Sequence, residues 1–482
     1  MIQRPAIQRD PNLVQQALGW HNVRDFGAVG DGVHDDTAAI QACLDQTSAA
    51  SGEQAAMIYF PEATYLISKP LVVNPFTYLQ GNGVKGTSFT TNVPISIFVV
   101  PASTNRNAHI IIQDLYVRNN AAVSSTTLAA AASAGASSIA VASGANIVAG
   151  YNLVVSAGTN AQEEMTVANT YVPGSTVVPL TAALANAHSS GDYVCSPPNI
   201  KLGHPIIGSY LRNVRCENGT IGLWIQEGDV DVETFVTEGM TLWGIELWQG
   251  GTEHLRNIYS EAQGVAGMLI HDTVQASSID ILSYHTETCP TGIWIKSASQ
   301  ITATSIFGTA PSNGGGVALV HVDTGCSSYT FNHVTSIFTP RFAATIKDDT
   351  LGVAFPDYDG YLFFRLWSDQ EGLAGGTSVS AGTLQGHMVP RILAGITAIS
   401  GAAPAWTSGQ GANLRGIAVA VTSGVASFTA PFPTNEPDTT YSVSCSTNWA
   451  TTIGVTKATT GITFNFGTVA PSGATLDWTI IR

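Results

Sequence analysis

Charged side chains are scarce in this sequence. Asp, Glu, Lys and Arg make up 11% of the 482 residues, against about 25% in a typical soluble domain. Lys and Arg number 19 against 34 Asp and Glu, which gives a net charge of −15. Without a basic stripe, a nucleic-acid-binding function is not expected. A surface built instead from Ser, Thr, Asn, Gly and Ala is typical of secreted or virion β-proteins.

Paired cysteines and long apolar runs are also absent. The six cysteines lie far apart with no C-x-x-C pair, so we expect small buried side chains and neither a metal nor a cofactor. No run of 18 apolar residues predicts a membrane span. The first twenty residues lack the apolar core of a signal peptide, which favours a protein assembled inside a cell and released by lysis. The alternative is a mature form whose leader has been removed.

A Gly-rich loop and a short helix are predicted within residues 22–42, NVRDFGAVGDGVHDDTAAIQA. The helix has an apolar stripe at the i, i+3, i+4 spacing, formed by Ile40, Cys43 and Leu44. Three acidic residues are interpreted as loop and cap groups rather than catalytic ones, because their spacing suits turn chemistry: Asp31, Asp35 and Asp36. Two short strands split at Pro61 follow in MIYFPEATYLIS, and then LVVNPFTYLQGNG.

This order of motifs resembles the opening of the pectate-lyase-like β-helix superfamily, which includes many phage tailspikes. The family pattern is D-F-G-A-x-G-D-G-x-x-D-D-T-x-A-I-Q, a capping helix, then Y-F-P-x-x-x-Y and L-x-G-x-G, and it matches residues 22–83 here. The resemblance implies an all-β protein, a right-handed single-stranded parallel β-helix with an N-terminal capping helix. It identifies a fold and leaves the reaction open.

A repeat in the centre of the chain supports stacked coils independently. Five segments begin with glycine at intervals of 22 to 25 residues: GLWIQ (222), GIELW (244), GMLIH (267), GIWIK (292) and GVALV (316). A steady period of this size predicts coils that bury their apolar faces against one another. Alternation predicts two inward ladders, formed by Leu223, Ile245, Met268, Ile293, Val317 and by Ile225, Leu247, Ile270, Ile295, Leu319.

Composition changes along the chain predict further domains. Residues 121–197 are rich in Ala, Ser and Gly and lie between two coil-like segments, which favours a small inserted β-domain. Residues 414–482 recover alternation and predict a C-terminal β-sandwich. This segment resembles small C-terminal modules of phage tail proteins, and the resemblance implies a role in trimerisation or glycan binding. The predicted boundaries are an N-terminal segment (1–20), β-helix coils with the capping helix (21–120), the insert (121–197), central coils (198–345), the end of the helix with a linker (346–413) and the sandwich (414–482).

Outward tryptophans predict a carbohydrate site on the Gly-strand face. Indole rings stack on sugars, and neighbouring polar groups can bond to hydroxyls. The alternative is that these rings pack under a loop or a neighbouring subunit. The predicted substrate-binding residues are Trp224, Trp248, His271, Asp272, Trp294 and Lys296.

Glutamates form a second predicted column. Glu217, Glu238, Glu261 and Glu287 each precede a Gly strand by five or six residues, so they should stack about 5 Å apart on successive coils. Glycosidases need carboxylates about 5–5.5 Å or 6.5–9.5 Å apart. We therefore predict catalytic residues among Glu238, Glu246 and Glu261. Glu246 lies outside the column, but it follows Glu238 by eight residues in the same coil, and we expect the two to face each other across a corner. A solvated acidic corner or a Ca²⁺ site is the alternative.

Together these patterns predict a tailspike-like protein that binds and depolymerises a bacterial surface polysaccharide, capsule or O-antigen, by endo-glycosidic hydrolysis. Two alternatives stay open: a receptor-binding tail protein without catalysis, and a polysaccharide lyase, which the few basic residues of the repeat disfavour. The expected assembly is a homotrimer on a phage tail or baseplate, extracellular, with neither nucleic acid nor membrane as a partner.

Overall fold

The computed structural model describes residues 20–51, 56–102, 107–203, 206–273, 277–312, 315–336, 342–349, 353–356, 364–368, 415–432 and 439–481. The described residues form two compact units, one containing the coils and one containing the strands from Arg415 onward. The predictions for residues 1–19 and for most of 346–413 lie outside the described residues. No helix among the described residues is long and apolar enough to cross a membrane.

The N-terminal coils combine short strands with one helix, α1 (Thr37–Ser51). Its stripe of Ile40, Cys43 and Leu44 is buried, as predicted. Asp35 caps the helix by accepting from the Thr37 N–H at 3.1 Å, and Asp36 accepts from the N–H groups of Val29 and Gly30. The strands are β1 (Trp20–Asn22), β2 (Asp31–Asp35), β3 (Ala56–Tyr59), β4 (Ala63–Leu66), β5 (Leu71–Val72), β6 (Thr77–Gln80), β7 (Thr87–Thr91), β8 (Phe98–Val100), β9 (Asn107–Ala108) and β10 (Ile111–Asn119).

The inserted domain has its own antiparallel strands and its own core. Its strands are β11 (Ser125–Thr127), β12 (Ser138–Ala140), β13 (Asn152–Ala157), β14 (Glu163–Thr166), β15 (Val177–Pro179) and β16 (Tyr193–Cys195). The two ends of the segment meet, because the Ser196 N–H donates to the Ser124 carbonyl at 2.9 Å. The predicted insertion of a small β-domain is therefore confirmed.

The central coils alternate long and short strands. The strands are β17 (Ile200–Leu202), β18 (Ile206–Glu217), β19 (Ile221–Gln226), β20 (Gly228–Glu238), β21 (Trp243–Trp248), β22 (Thr252–Glu261), β23 (Ala266–His271), β24 (Ser278–Glu287), β25 (Thr291–Lys296), β26 (Ser299–Thr309), β27 (Ala318–Val322), β28 (Ser327–Ser336), β29 (Ala344–Asp348), β30 (Val353–Pro356) and β31 (Phe364–Ser368). The long strands form one parallel sheet, the long-strand sheet, running from β10 through β18, β20, β22, β24 and β26 to β28. The short strands form a second, the short-strand sheet, from β5 and β8 through β17 and the odd-numbered strands β19 to β29.

The predicted parallel β-helix is thus confirmed, and its core lies between the two sheets. Leu223, Ile245, Met268 and Ile293 stack in register as one inward ladder and are fully buried. The fifth predicted rung is wrong. Ile293 pairs with Val320, whereas Val317 is 41% exposed, because extra residues before β27 make this coil longer and Gly316 falls outside the strand.

Residues with left-handed backbone conformation shape each coil. One bends each long strand from β10 to β26 at the same register position: Asp114, Asn213, Thr234, Asn257, Ser283 and Ser305. Another follows the last residue of four long strands: Asn218, Gly239, Ala262 and Thr288. The N–H of each of these four donates to the next coil, for example Gly239 to the Glu261 carbonyl at 3.0 Å. These corners hold the strand ends in fixed register.

The second unit contains two antiparallel three-stranded sheets, the β-sandwich strands that the sequence predicts. One sheet has the order β32 (Arg415–Ala420), β37 (Thr475–Ile481), β34 (Ser442–Thr447), and the other β33 (Ser427–Pro431), β36 (Gly461–Phe466), β35 (Ile453–Ala458). Its core includes the buried side chains of Tyr441, Ile462, Phe464 and Leu476. All six cysteines are free, and five of them are buried.

Candidate active site on the long-strand sheet

The four glutamates predicted as a column lie on consecutive rungs. Glu217 pairs in register with Glu238, Glu238 with Glu261, and Glu261 with Glu287. Each is the last residue of its long strand, immediately before the left-handed corner. Neighbouring rungs of a parallel sheet are about 4.8 Å apart. This set, the glutamate ladder, therefore brings carboxylates together at half-exposed positions on the outside of the coil.

Cations and a phenol hold the first two carboxylates of the ladder. Arg118 Nη2 lies 3.5 Å from Glu217 Oε1, and the Tyr116 hydroxyl donates to the other oxygen of Glu217. Arg215 pairs with Glu238 and lies 3.9 Å from Glu217. The ladder thus has alternating charge at this end, which reduces the repulsion that four stacked carboxylates would otherwise suffer.

An aromatic row runs beside the ladder, two residues earlier on each strand. Tyr259, His285 and Phe307 occupy consecutive rungs, with ring centroids 4.8 Å and 3.9 Å apart. Tyr259 donates to Glu261 Oε2 at 2.9 Å, and His285 Nε2 lies 3.1 Å from Glu287 Oε1. Phe307 is 36% exposed. The row offers an apolar strip of the kind on which sugar rings pack.

The titrating groups of the row are held in their neutral forms at neutral pH. Burial and the hydrogen bond to Glu261 raise the pKa of Tyr259 above its ordinary value, and burial and the bond to Glu217 do the same for the pKa of Tyr116. Burial lowers the pKa of His285. The tyrosines are therefore hydrogen-bond donors that orient carboxylates, and neither is placed to act as a phenolate base.

The predicted tryptophan groove is not open to solvent. Trp224 and Trp248 are 3% and 8% exposed, and the insert covers the face of the short-strand sheet on which they lie. Insert residues Val154 and Ala157 share a core cluster with both indoles, and Trp294 packs partly against it. The prediction of an exposed sugar platform is therefore wrong for Trp224 and Trp248; the alternative, packing beneath another part of the chain, is what the structure shows.

Glu246 and His271 are also buried under the insert. Glu246 accepts hydrogen bonds from Gln162 of the insert at 2.8 Å and from the Trp243 indole at 2.6 Å. His271 Nε2 lies 3.1 Å from Glu246, and its Nδ1 lies 2.9 Å from Asp272. Despite the opposing effect of burial, these two carboxylates leave the pKa of His271 raised. The network is saturated by the protein's own groups.

Lys296, the last of the predicted substrate ligands, also bonds to the insert. Its ammonium donates to the Gly158 carbonyl at 2.9 Å. Of the three predicted catalytic residues, the structure brings Glu238 and Glu261 together on adjacent rungs and places Glu246 on the other sheet. The expectation that Glu238 and Glu246 face each other across a corner is wrong, because the insert encloses Glu246.

Sequence reasoning missed the aromatic row and Arg215. Their signal was present: Y-S-E, H-T-E and R-C-E end three long strands, and alternation puts the first residue of each triplet on the same side as the glutamate. The tryptophans of the Gly strands carry a stronger pattern for a sugar site, because alternation turns them outward. The side chains beside the ladder come from the same long strands as its glutamates.

These features define a parallel β-solenoid with a carboxylate-rich outer face. Residues 20–242 match the family model described as Rhamnogalacturonase A/epimerase, pectate lyase-like, which confirms the resemblance drawn from the opening motifs. The match includes α1, the insert and the first two residues of the glutamate ladder.

Two curated proteins share short stretches with the chain. Plasmin and fibronectin-binding protein A of Streptococcus pneumoniae is 46% identical over 61 residues, 13% of this chain and 8% of that protein. A probable glucan endo-1,3-beta-glucosidase of Arthroderma benhamiae is 39% identical over 71 residues, 14% of this chain and 8% of that protein. The matched segments thus span less than a tenth of either relative.

Among solved structures, the tailspike gp61 of Pseudomonas phage phi297 aligns over 96% of this chain and 99% of its own, with a TM-score of 0.26 and 11% identity.

Proposed function

We propose that this protein binds a bacterial surface polysaccharide along the glutamate ladder and the aromatic row, and cleaves it by endo-glycosidic hydrolysis. The observation that carries the proposal is the register of Glu238 and Glu261, on adjacent rungs beside Tyr259 and Arg215. A spacing of about 4.8 Å between rungs is close to the carboxylate separation of retaining glycosidases. The stretch shared with a glucosidase supports the same reaction class.

In this mechanism Glu238 acts as the nucleophile and Glu261 as the proton donor. Arg215 pairs with Glu238, which suits a carboxylate that attacks the anomeric carbon. Glu261 gives its proton to the departing glycosidic oxygen. In the second step it takes a proton from the water that hydrolyses the glycosyl–Glu238 ester. Tyr259 fixes the orientation of Glu261. Each cycle consumes one water and breaks one glycosidic bond.

Hydrolysis is favoured over elimination by the state of the tyrosines. A lyase needs a base that removes a ring proton and a cation that neutralises the neighbouring carboxylate. The raised pKa values of Tyr116 and Tyr259 argue against phenolate bases, and the ladder glutamates already pair with Arg118 and Arg215. The proposal extends to assembly as a homotrimer, to attachment to phage tail or baseplate proteins and to an extracellular location on the virion tail.

Substitution of the ladder tests the proposal. Glu238→Gln and Glu261→Gln should each lower the release of reducing ends by about 10²–10⁴-fold, while binding to the same polysaccharide persists. Glu233→Gln is the matched control, because Glu233 lies earlier on the same strand as Glu238, before the bend. The assay uses a panel of purified capsular and O-antigen polysaccharides.

Three other results would each redirect the interpretation. Full activity of both variants would remove the ladder from the reaction. Binding without reducing ends in the parent protein would favour a receptor-binding role, and unsaturated products would identify a lyase.

A further inference from the structure

Three side-chain atoms of the kinds that can ligate a metal converge at the end of the short-strand sheet. His321 lies in β27, Asp323 follows that strand, and Asp349 follows β29. His321 Nε2 is 3.2 Å from Asp323 Oδ1 and 3.0 Å from Asp349 Oδ2. One ligand atom from each of the three residues lies within 4.8 Å of the other two. The two strands involved are adjacent in the sheet, and β29 next pairs antiparallel with β30.

The protons of this cluster cannot satisfy every contact at His321 Nε2. Lys347 Nζ lies 2.8 Å from Nε2 and 2.8 Å from Asp349 Oδ2. If Nε2 carries a proton, it suits the two carboxylates but opposes the ammonium, which is also a donor. If Nε2 is bare, it accepts from Lys347 but turns a lone pair toward two carboxylates. A cation that accepts lone pairs from all three atoms removes the conflict.

A group outside the cluster orients two of these atoms. The Trp294 indole N–H donates to Asp323 Oδ2 at 3.1 Å, which leaves Oδ1 turned toward His321. The same indole stacks on the His321 ring with an interplanar angle of 1° and centroids 5.9 Å apart. Metal-ligating carboxylates and imidazoles commonly have outer partners of this kind, which fix their orientation.

We propose that His321, Asp323 and Asp349 bind a divalent transition-metal ion of the Zn²⁺ or Mn²⁺ class, with the Lys347 ammonium displaced into solvent. Ligand atoms 3.0–3.2 Å apart match neighbouring vertices around an ion with bonds of about 2.1 Å. One imidazole and two carboxylates suit such ions, whereas Ca²⁺ takes oxygen ligands only. The Lys347 side chain is 36% exposed, so it has room to leave. The ion would join the last two parallel strands of the short-strand sheet.

Metal binding by the full-length, untagged protein tests this site. After treatment with chelator, the protein is dialysed against Zn²⁺ or Mn²⁺, and bound metal and the thermal midpoint are measured. We expect one ion per chain at this site and a rise in midpoint. Asp323→Asn should weaken binding at least about 100-fold, and Trp294→Phe, which keeps the ring but removes the N–H, about 10-fold or more. Lys347→Gln should bind at least as tightly as the parent.

Lys347→Gln also tests the rival explanation, in which the Lys347 ammonium takes the place of a metal ion. If Lys347 is itself the cation that the cluster needs, this variant should lose stability and neither it nor the parent should take up metal; that result overturns the proposal. Equal metal binding by the parent and by both Asp323→Asn and Asp349→Asn would overturn it too, since the ion would then lie elsewhere. If one Asp variant fails to fold, metal binding can still be compared between the parent, the other Asp variant and Trp294→Phe.

Discussion

The side chain of Glu253 lies inside the coil stack, where its neighbours in register are Val230 and Ile279. Its Oε2 accepts from the Gly251 N–H at 2.9 Å, and no described residue bonds to its buried Oε1. Burial raises the pKa of Glu253 to about 8, against the Gly251 hydrogen bond, which lowers it. The carboxyl group is therefore protonated in the folded protein at neutral pH.

Glu253 makes the free energy of unfolding depend on pH between 4.5 and about 8. In the unfolded chain its pKa returns to 4.5, so between that pH and about 8 the folded state holds a proton that the unfolded state has lost. The free energy of unfolding must then fall as pH rises through this window. Glu253→Gln should remove most of this fall. The free energy of unfolding of the variant minus that of the parent should therefore be about 3–5 kcal/mol larger at pH 9 than at pH 4. Urea unfolding at both pH values measures this.

The control for this prediction is Glu233→Gln, on the outward side of a neighbouring coil. It should leave the pH dependence of unfolding unchanged. Parallel stability curves for the parent and Glu253→Gln would contradict the prediction and would mean that Glu253 finds a partner or water in the folded state.

Side-chain direction was predictable residue by residue, but exposure was not. Spacing ahead of the Gly strands placed Glu238 and Glu261 on one register, and the structure agrees. Alternation placed Trp224 and Glu246 outward, yet both are buried. Outward in a strand means away from that strand's own core. Whether solvent or another domain lies there depends on where the insert docks, and period-two spacing carries no information about docking.

Docking of the insert depends on a polar contact as well as on apolar packing. Gln162 Nε2 donates to Glu246 Oε1, and Gln162 is 4% exposed. Removal of this donor leaves a buried carboxylate with fewer partners, so Gln162→Ala should cost about 1–3 kcal/mol. We expect the loss as faster hydrogen exchange in β21 and β23 beneath the insert. Asn160→Ala, an exposed amide in the same loop, should leave exchange unchanged, and equal effects of the two variants would count against the docking role.

The length of each coil limited prediction at the level of strands. Glycine spacing located β19, β21, β23 and β25 correctly, because those coils differ in length by few residues. It failed at β27, where a longer connection shifts the register and brings His321 into the outward column beside Trp294. His321 therefore escaped notice as a ligand. Loops vary in length at little energetic cost, so periodicity weakens wherever a coil lengthens.

At the scale of the whole chain, the two units have separate hydrophobic cores. Phe89 is fully buried among Phe60, Tyr65 and Phe98 in the first coils. Phe464 is fully buried in the C-terminal core, beside Trp478. The sequence indicated this division by its loss of periodicity and its later return of alternation. The Gly- and Ser-rich stretch between the two regions gave no pattern from which a structure could be predicted.

Separate cores predict two unfolding transitions in calorimetry of the full-length protein. Phe464→Ala should lower the midpoint of the transition with the smaller enthalpy, because a Phe-to-Ala cavity costs about 3–5 kcal/mol and the C-terminal unit has fewer residues to unfold. Phe89→Ala is the matched variant and should lower only the larger transition. If either substitution moved both transitions together, the units would unfold as one cooperative body, and stability of the coils would have to depend on the C-terminal strands.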